Sequence, residues 1–397
     1  MKKNMKKRIK KIKELYTSDL FKEFFDSEKA SGIILIGCTL VSLIIANSDF
    51  GVDYIHTWHY YLGGRSIEHW INDGLMTIFF LLIGLELERE IYLGELSNIK
   101  DAMLPIFAAL GGMLVPAGLY LLFNFGTIAQ SGAGIPMATD IAFALGILSL
   151  LGNRVPLSLK IFLTALAVID DLGAILVIAI FYTKSILWMN LIFAFGILFA
   201  LFLLNRKKVE NIIPYLIGGF IMWYFMLNSG IHATITGVLL AFVIPFGNGK
   251  KDSTSYKLQR FLHKPVGFFI LPLFALANTA IIISSNIGET LAQHYSIGIA
   301  LGLIVGKPLG IFLFSYLACA AGLCKLPADL NWKVIFGVGF LGGIGFTMSI
   351  FITLLAFEDQ TIITNAKFVI LLSSLVAGVI GFTFLKYNLK ENVNGNE

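Results

Sequence analysis

Charged residues are scarce in this sequence of 397 amino acids. Asp, Glu, Lys and Arg make up 14% of the chain, against about 25% in an ordinary soluble domain. Hydrophobic residues make up 57%. This balance excludes an ordinary soluble domain and is typical of a polytopic membrane protein. The net charge of +5 does not indicate a nucleic-acid partner, because the basic residues lie in loops at regular intervals.

Cysteine is also scarce, with three residues in the chain. Cys38, Cys319 and Cys324 lie in or beside apolar runs, so we interpret them as packing residues. A Cys319–Cys324 disulfide is the alternative that their spacing leaves open, and nothing indicates an oxidising compartment. The N-terminus lacks the apolar h-region of a signal peptide.

Long apolar runs are abundant. A membrane core of about 30 Å needs around 20 apolar residues per helix, and this length predicts an all-α polytopic fold of about twelve transmembrane helices. Only the residues "NSG" separate the seventh predicted span from the eighth. The predicted spans are 30–47, 70–88, 102–123, 133–151, 157–182, 186–204, 211–228, 230–246, 262–284, 296–321, 333–356 and 366–386.

The basic residues predict the orientation of these spans. With the N-terminus inside, 26 of the 30 Lys and Arg residues fall in inner segments. Three fall outside (Arg65, Lys184 and Lys367), and Lys307 lies within a span. This positive-inside bias predicts cytoplasmic N- and C-termini.

Two segments lie outside the spans. Residues 1–29 predict a basic amphipathic helix on the inner leaflet, held by anionic lipids, with a disordered basic tail as the alternative. The transmembrane domain follows over 30–390. In the first outer loop, 49–69, aromatic runs flank Gly63-Gly64 and predict a small β-hairpin, which we expect to pack on a second protomer. Interfacial packing is the preferred role of its histidines, and a metal site at His56, His59 and His69 is the alternative.

Four ionisable residues lie near the middle of predicted spans. They are Asp140 in the fourth, Asp170 and Asp171 in the fifth, and Lys307 in the tenth. Such residues are costly in a membrane and indicate function. Three carboxylates and one amine leave excess negative charge, which protons or a small hard cation must neutralise.

This charge balance predicts coupled transport. Lys307 can pair with one carboxylate, and the others can hold either protons or a cation. Because the two occupants exclude each other, transport of one is coupled to counter-transport of the other. Asp170 and Asp171 are about 100° apart around one helix, so one can face the cation and the other the lysine. A static helix–helix salt bridge is the structural alternative.

Glycine and proline interrupt two of the spans. Gly132, Gly134 and Pro136 precede Thr139-Asp140, and five glycines precede Thr347. Interrupted spans in corresponding halves of a transporter indicate a midplane site. The match between "GIPMAT" (134–139) and "GIGFTM" (343–348) suggests an internal repeat. In the tenth span, every fourth residue is glycine, which predicts close helix contact beside Lys307: Gly298, Gly302, Gly306 and Gly310.

The sequence resembles the NhaA-type bacterial sodium/proton antiporters over nearly all of residues 30–385. The resemblance rests on "WINDGLMTIFFLLIGLELERE", "PMATDIAFALGIL", "ALAVIDDLGAI", "VGKPLGI" and "LGGIGFTMSIFI". It implies inverted repeats with crossed, discontinuous fourth and eleventh helices. It also implies a homodimer that uses the outer hairpin, and electrogenic exchange activated at alkaline pH.

The resemblance also implies site residues. Asp171 looks like the primary ligand of the transported sodium, with Asp170 beside it and Asp140 and Thr139 nearby, and Lys307 is similar to the lysine that pairs with the Asp170 equivalent. Thr164, seven residues before Asp171, lies on the same helix face and supports that assignment. The resemblance implies a pH response for the inner and outer titratable residues Glu86, Arg89, Glu90, His232 and His263.

Three residues depart from the family's pattern. Glu88 stands where the best-known members carry a basic residue, and Gln259 and Arg260 replace an acid and a histidine of the pH-sensing loop. We therefore expect a shifted or blunted pH profile. A core bundle at about 102–182 and 296–386, and interface helices at about 30–88 and 186–284, complete the expected organisation.

The predicted function is a secondary transporter of the bacterial inner membrane, not an enzyme, that exchanges cytoplasmic sodium or lithium for external protons. It needs no cofactor. A sodium-coupled symporter is the alternative, although no mid-depth Arg could hold an organic anion. An intramembrane aspartyl protease is disfavoured because no GxGD motif surrounds Asp140, Asp170 or Asp171. A passive cation channel would conduct without protons.

Overall fold

The computed structural model describes residues 19–182, 186–283 and 286–389. Most of the predicted basic segment 1–29 lies outside these residues, as does Lys184. The backbone of the first helix is described from Asp19, and its side chains are described from residue 29.

The described chain is predominantly helical, as predicted. Ten segments are long and apolar enough to cross a membrane, if one bent pair is taken as a single span. The helices are α1 (Asp19–Ala46), α2 (Gly51–His59), α3 (Ile67–Tyr92), α4 (Ile99–Asn124), α5 (Ile141–Ser149), α6 (Leu157–Phe181), α7 (Trp188–Arg206), α8 (Ile213–Leu227), α9 (Ile235–Ala241), α10 (Thr254–Asn278), α11 (Ile287–Ala292), α12 (His294–Ala320), α13 (Trp332–Gly342), α14 (Phe346–Ala356) and α15 (Gln360–Asn388).

The predicted seventh and eighth spans are shorter than expected. α8 has 15 residues and α9 has seven, whereas a full span needs about 20. The chain turns at Gly230, which has a φ of +86°. α9 is fixed by close packing on α3, because a Cβ added at Gly237 would lie 2.2 Å from the carbonyl oxygen of Thr77.

The outer loop contains the predicted hairpin in a smaller form. Strands β1 (Tyr61–Leu62) and β2 (Arg65–Ser66) pair antiparallel, with Tyr61 opposite Ser66. Gly63 and Gly64 form the turn with φ of +61° and +87°, which glycine adopts without steric cost. The preceding aromatic run forms α2 instead of a strand.

Two spans are discontinuous, as predicted. The fourth span begins as a 3-10 helix at Gln130–Met137, becomes extended at residues 138–140 and continues as α5. The eleventh consists of α13 and α14, which are bent by 49° at a short break. Unwound backbone within a membrane is tolerated where it is buried in protein, and both breaks are buried.

The predicted glycine face of α12 packs on α4. A Cβ at Gly310 would lie 2.1 Å from the carbonyl oxygen of Gly111, and one at Gly302 would lie 2.5 Å from Cβ of Pro136. The absence of side chains therefore lets α12 approach both α4 and the broken fourth span. Lys307 lies on the same helix, directly after a π-helical turn at Gly302–Gly306.

The cysteines are free thiols. Sγ of Cys319 and Sγ of Cys324 are 3.1 Å apart at the end of α12. Burial, together with the neighbouring Cys319, raises the pKa of the Cys324 thiol to about 12, so this thiol stays protonated at physiological pH. Among the described residues, which include the outer histidines, no group of three His, Cys, Asp or Glu side chains is placed to hold a metal ion.

Candidate cation site at the helix crossing

The two broken spans meet backbone to backbone. The amide of Asp140 donates to the carbonyl oxygen of Ile344 at 2.6 Å. The carboxylate of Asp140 caps α5 by accepting from the Phe143 amide at 3.0 Å. Its other oxygen accepts from the Thr347 amide at 3.1 Å and from the Thr347 hydroxyl at 2.5 Å. Asp140 therefore joins the starts of α5 and α14, where the positive ends of helix dipoles favour a negative charge.

Lys307 pairs with Asp170 at this crossing. Its ammonium contacts Oδ2 of Asp170 and donates to the hydroxyl of Thr139 at 2.9 Å. That hydroxyl lies 2.6 Å from Oδ2 of Asp170 and 2.8 Å from the carbonyl oxygen of Gly342. Both Lys307 and Asp170 are almost fully buried, so the pair is shielded from solvent.

Asp171 points to different surroundings, since adjacent helical residues diverge by about 100°. It is 1% exposed, and its Oδ1 has no hydrogen-bond partner within the described part of the chain. The same holds for Oγ1 of Thr164 and Oδ1 of Asp170. Asp171 also lies within electrostatic range of Asp170, Asp140, Lys307 and Glu86.

These orphaned oxygens define what the site can hold. Buried polar atoms without partners are costly, and a small hard cation prefers oxygen ligands. A proton on a carboxylate would satisfy part of the same need. The three carboxylates and one ammonium therefore suit an occupant that is either a proton or a cation such as sodium.

Three of the residues predicted for the pH response meet at the inner end of α3. Glu86 is 8% exposed and lies within electrostatic range of Glu90 and Arg89. Gln259 on α10 hydrogen-bonds Glu86 and lies 3.5 Å from Nη1 of Arg89. The replacement noted at Gln259 therefore falls inside this cluster, and Glu86 links the cluster electrostatically to Asp171.

The two predicted histidines do not join the central residues. Nε2 of His232 lies 3.0 Å from the carbonyl oxygen of Tyr182. Tyr182 follows Asp171 by eleven residues, which places it roughly 16 Å further along the helix axis. His263 is half-buried, one helical turn after Gln259. Glu88 is buried as well and accepts from the hydroxyl of Ser255 at 3.4 Å.

The structure adds residues that the sequence prediction missed. Thr347 binds Asp140, and the hydroxyl of Ser349 donates to the carbonyl oxygen of Ile135 at 2.7 Å. The local match between 134–139 and 343–348 contained the signal for Thr347, since it aligns this residue one position from Thr139. The Tyr182 hydroxyl, which donates to the carbonyl oxygen of Ser131 at 2.6 Å, had no such signal.

Comparison with known proteins identifies a matching family. The profile of the Na+/H+ antiporter 1 family matches residues 22–385, a range that contains the complete crossing.

Individual proteins match over the same region. The chain is 75% identical over 378 residues to the Na(+)/H(+) antiporter NhaA of Flavobacterium psychrophilum, covering 95% of this chain and 98% of that protein. It is 66% identical to the Na(+)/H(+) antiporter NhaA 1 of Flavobacterium johnsoniae, covering 94% and 98%. It is 50% identical to the Na(+)/H(+) antiporter NhaA of Aliivibrio salmonicida, again covering 94% and 98%.

Proposed function

The chain belongs to the Na+/H+ antiporter 1 family, and from this premise we propose that it exports cytoplasmic sodium or lithium in exchange for external protons. It is a multi-pass membrane protein with ten candidate spans among its described residues. Asp171 is the primary cation ligand of the proposed mechanism, Asp170, Asp140 and Thr139 complete the site, and Lys307 compensates charge.

One observation carries this assignment. Asp171 is 1% exposed, and its Oδ1 has no partner in the described chain, whereas Asp170 is held by Lys307 and Asp140 by Thr347. An unpaired buried carboxylate needs a proton or a cation. Asp171 is thus the carboxylate most available to an exchangeable occupant.

Exchange follows from competition at this site. A sodium ion displaces protons from the carboxylates when it binds, and protons arriving from the other side displace sodium. More than one titratable group shares the site, so we propose that protons outnumber sodium ions in each cycle and that exchange is electrogenic. The hydroxyl of Thr139 contacts both Lys307 and Asp170, so a movement of one of these side chains can displace the other.

Alternating access requires two units that move relative to each other. We assign one unit, the core, to residues 102–182 and 296–386, which include both broken spans. The other, the interface unit, comprises residues 30–88 and 186–284 and carries the dimer contacts. The close packing of α12 on α4 supports a core that moves as one body.

The inner cluster is the proposed route for a pH response. Glu86 and Arg89 meet Gln259 on α10, one helical turn before His263. Glu90 and Asp171 lie within electrostatic range of Glu86. Proton binding here can therefore alter cation binding at the crossing. His232 acts separately, through the backbone of Tyr182.

We assign the protein to the bacterial inner membrane with both termini in the cytoplasm. The positive-inside distribution of Lys and Arg supports this orientation. Anionic lipids on the cytoplasmic side would bind the basic segment 1–29, and the outer hairpin would join two protomers.

The first test measures sodium-triggered dissipation of a pH gradient in proteoliposomes from pH 6 to 9. Wild type is compared with Asp171→Asn and Asp170→Asn. We expect sodium-dependent proton movement in wild type and at least about a hundredfold loss in Asp171→Asn, equivalent to roughly 2.7 kcal/mol. The pH midpoint reports the effect of Gln259 and Arg260.

Normal exchange in Asp171→Asn would remove Asp171 as the ligand. If wild type moved no protons with sodium at any pH, antiport itself would be rejected, and solutes would then be tested for sodium-coupled symport. Sodium flux without proton movement would indicate a channel.

A further inference from the structure

A second buried lysine lies inside the last span. Lys367 on α15 has a side chain that is 7% exposed. Its ammonium lies 3.6 Å from Oε1 of Glu68 on α3 and donates to Oδ1 of Asn278, at the end of α10, at 3.2 Å. The sequence prediction counted this lysine among the outer residues, and the structure buries its side chain between α15, α3 and α10.

The surroundings of Lys367 form a polar network. Nδ2 of Asn278 donates to Oδ1 of Asn72 on α3 at 2.8 Å. Glu68 also lies 3.6 Å from Nε2 of His59 in α2. We call Lys367, Glu68, Asn278 and Asn72 the outer network.

The outer network is separate from the cation site. Glu68 precedes Glu86 by 18 residues on the same helix, a distance of roughly 27 Å at 1.5 Å per residue. The network therefore lies at the opposite end of α3 from the inner cluster. Within the described part of the chain, none of its four members hydrogen-bonds to Asp140, Asp170 or Lys307.

Stability alone explains this arrangement poorly. An ionisable side chain inside a span is costly and indicates function. A buried ion pair is often no more stabilising than apolar residues of similar volume. Such pairs are better suited to selecting one arrangement of the elements that they join.

The elements joined here belong to different units of the proposed transporter. α15 lies in the core segments, whereas α3 and α10 lie in the interface segments. We propose that Lys367, Glu68 and Asn278 form an outer latch that holds the external ends of the two units together when the cation site is closed to the outside. The latch rests on the proposed antiport mechanism and its two units.

The latch would act by stabilising the state closed to the outside relative to the state open to the outside. A contact made in one conformation and broken in another shifts their equilibrium by its free energy. Loss of the latch would therefore favour separation of the outer ends. Single substitutions in such coupled elements alter populations by about two- to thirtyfold.

The test measures access to the outer end of α10. Thr279, directly after Asn278, is fully buried, so Thr279→Cys in a chain with Cys38, Cys319 and Cys324 changed to Ser provides a probe. The full-length protein in nanodiscs is treated with a charged maleimide. We expect Glu68→Gln and Lys367→Met to accelerate labelling by about two- to thirtyfold. The double variant should label no faster than the faster single variant, because both changes remove the same contact.

Asp73→Asn is the matched control. Asp73 lies 3.0 Å from His69, so this pair has similar depth but both of its members belong to α3. Its loss should leave labelling unchanged. Glu68→Gln keeps the side-chain shape and thus remains informative if Lys367→Met does not fold.

Unchanged labelling in Glu68→Gln would overturn the latch, as would equal acceleration in Asp73→Asn. Additive effects of the two single variants would also contradict it. Sodium-dependent proton movement by the unlabelled wild type is measured in parallel. Its absence would reject antiport, whereas normal antiport with unchanged labelling would reject only the latch.

Discussion

Asp170 and Asp171 are adjacent in the sequence but have different chemical surroundings. Asp170 is held by Lys307 and Thr139, while Oδ1 of Asp171 lacks a partner among the described residues. The helix separates the two carboxylates by rotation. One can therefore remain a fixed anion beside a lysine while the other exchanges its occupant.

At the residue scale, the buried pair predicts a separation of stability from transport. Lys307→Met leaves Asp170 buried without its counter-charge, and breaking such a pair costs about 3–5 kcal/mol. We expect a clear fall in the thermal unfolding midpoint in detergent. Lys307→Met combined with Asp170→Asn removes both charges and should recover most of the stability without restoring exchange.

Thermal unfolding and proteoliposome flux are measured on the same preparations. If the double variant were as unstable as Lys307→Met, the stability that Lys307 contributes would come from packing of its apolar stem and not from charge pairing. If it exchanged sodium at the wild-type rate, neither charge would be needed for transport.

At the element scale, close approach of α4 and α12 positions Lys307. A Cβ added at Gly310 would lie 2.1 Å from the carbonyl oxygen of Gly111. This contact is between backbones, so no side chain can rotate away to relieve it. Lys307 lies one helical turn before Gly310 and depends on this spacing to reach Asp170.

Gly310→Ala should therefore destabilise the protein and reduce exchange. Overpacking of this kind costs about 1–3 kcal/mol, and displacement of α12 moves Lys307 from its partner. Gly118→Ala, on α4, is the matched control, because no neighbouring atom of the described residues lies within 4 Å of an added Cβ there.

Unfolding midpoints and sodium-dependent proton flux distinguish the two variants. Gly118→Ala should behave as wild type or be slightly more stable, since alanine favours helices. Equal loss in both variants would show that helix flexibility, and not close approach, makes glycine necessary.

At the scale of the whole molecule, the outer hairpin offers an exposed apolar edge. Tyr61 is 72% exposed and Leu62 is 62% exposed on a two-stranded ribbon, which has marginal stability by itself. The hairpin is anchored by the indole of Trp70, which donates to the carbonyl oxygen of Leu62 at 2.8 Å. Its apolar side chains remain available to a second protomer.

Leu62→Lys should weaken the proposed dimer by placing a charge in that contact. Native mass spectrometry or light scattering of the detergent-solubilised protein would give the oligomeric state. We expect the dissociation constant of the dimer to rise at least about tenfold, which corresponds to roughly 1.4 kcal/mol. Tyr387→Lys, at an exposed position near the end of α15, is the control. A wild-type monomer, or an unchanged dimer in Leu62→Lys, would contradict a hairpin-mediated interface.

The sequence determined the membrane class, the two broken spans and the central ionisable residues. Long apolar runs need a membrane, glycine and proline interrupt helices locally, and a carboxylate within a span is unusual wherever it occurs. These properties depend on composition and short spacing. The hairpin was also predictable from Gly63-Gly64, although the helical state of the preceding aromatic run was not.

Contacts between distant segments were decided only by the tertiary structure. α9 packs closely on α3 and α8 packs on α7, contacts that the apolar pattern alone does not reveal. Thr347 meets Asp140 across 207 positions, and Lys367 meets Glu68 only because three spans converge. Hydropathy records how deeply a residue can be buried, but the partner of a buried charge is set by which helices pack together.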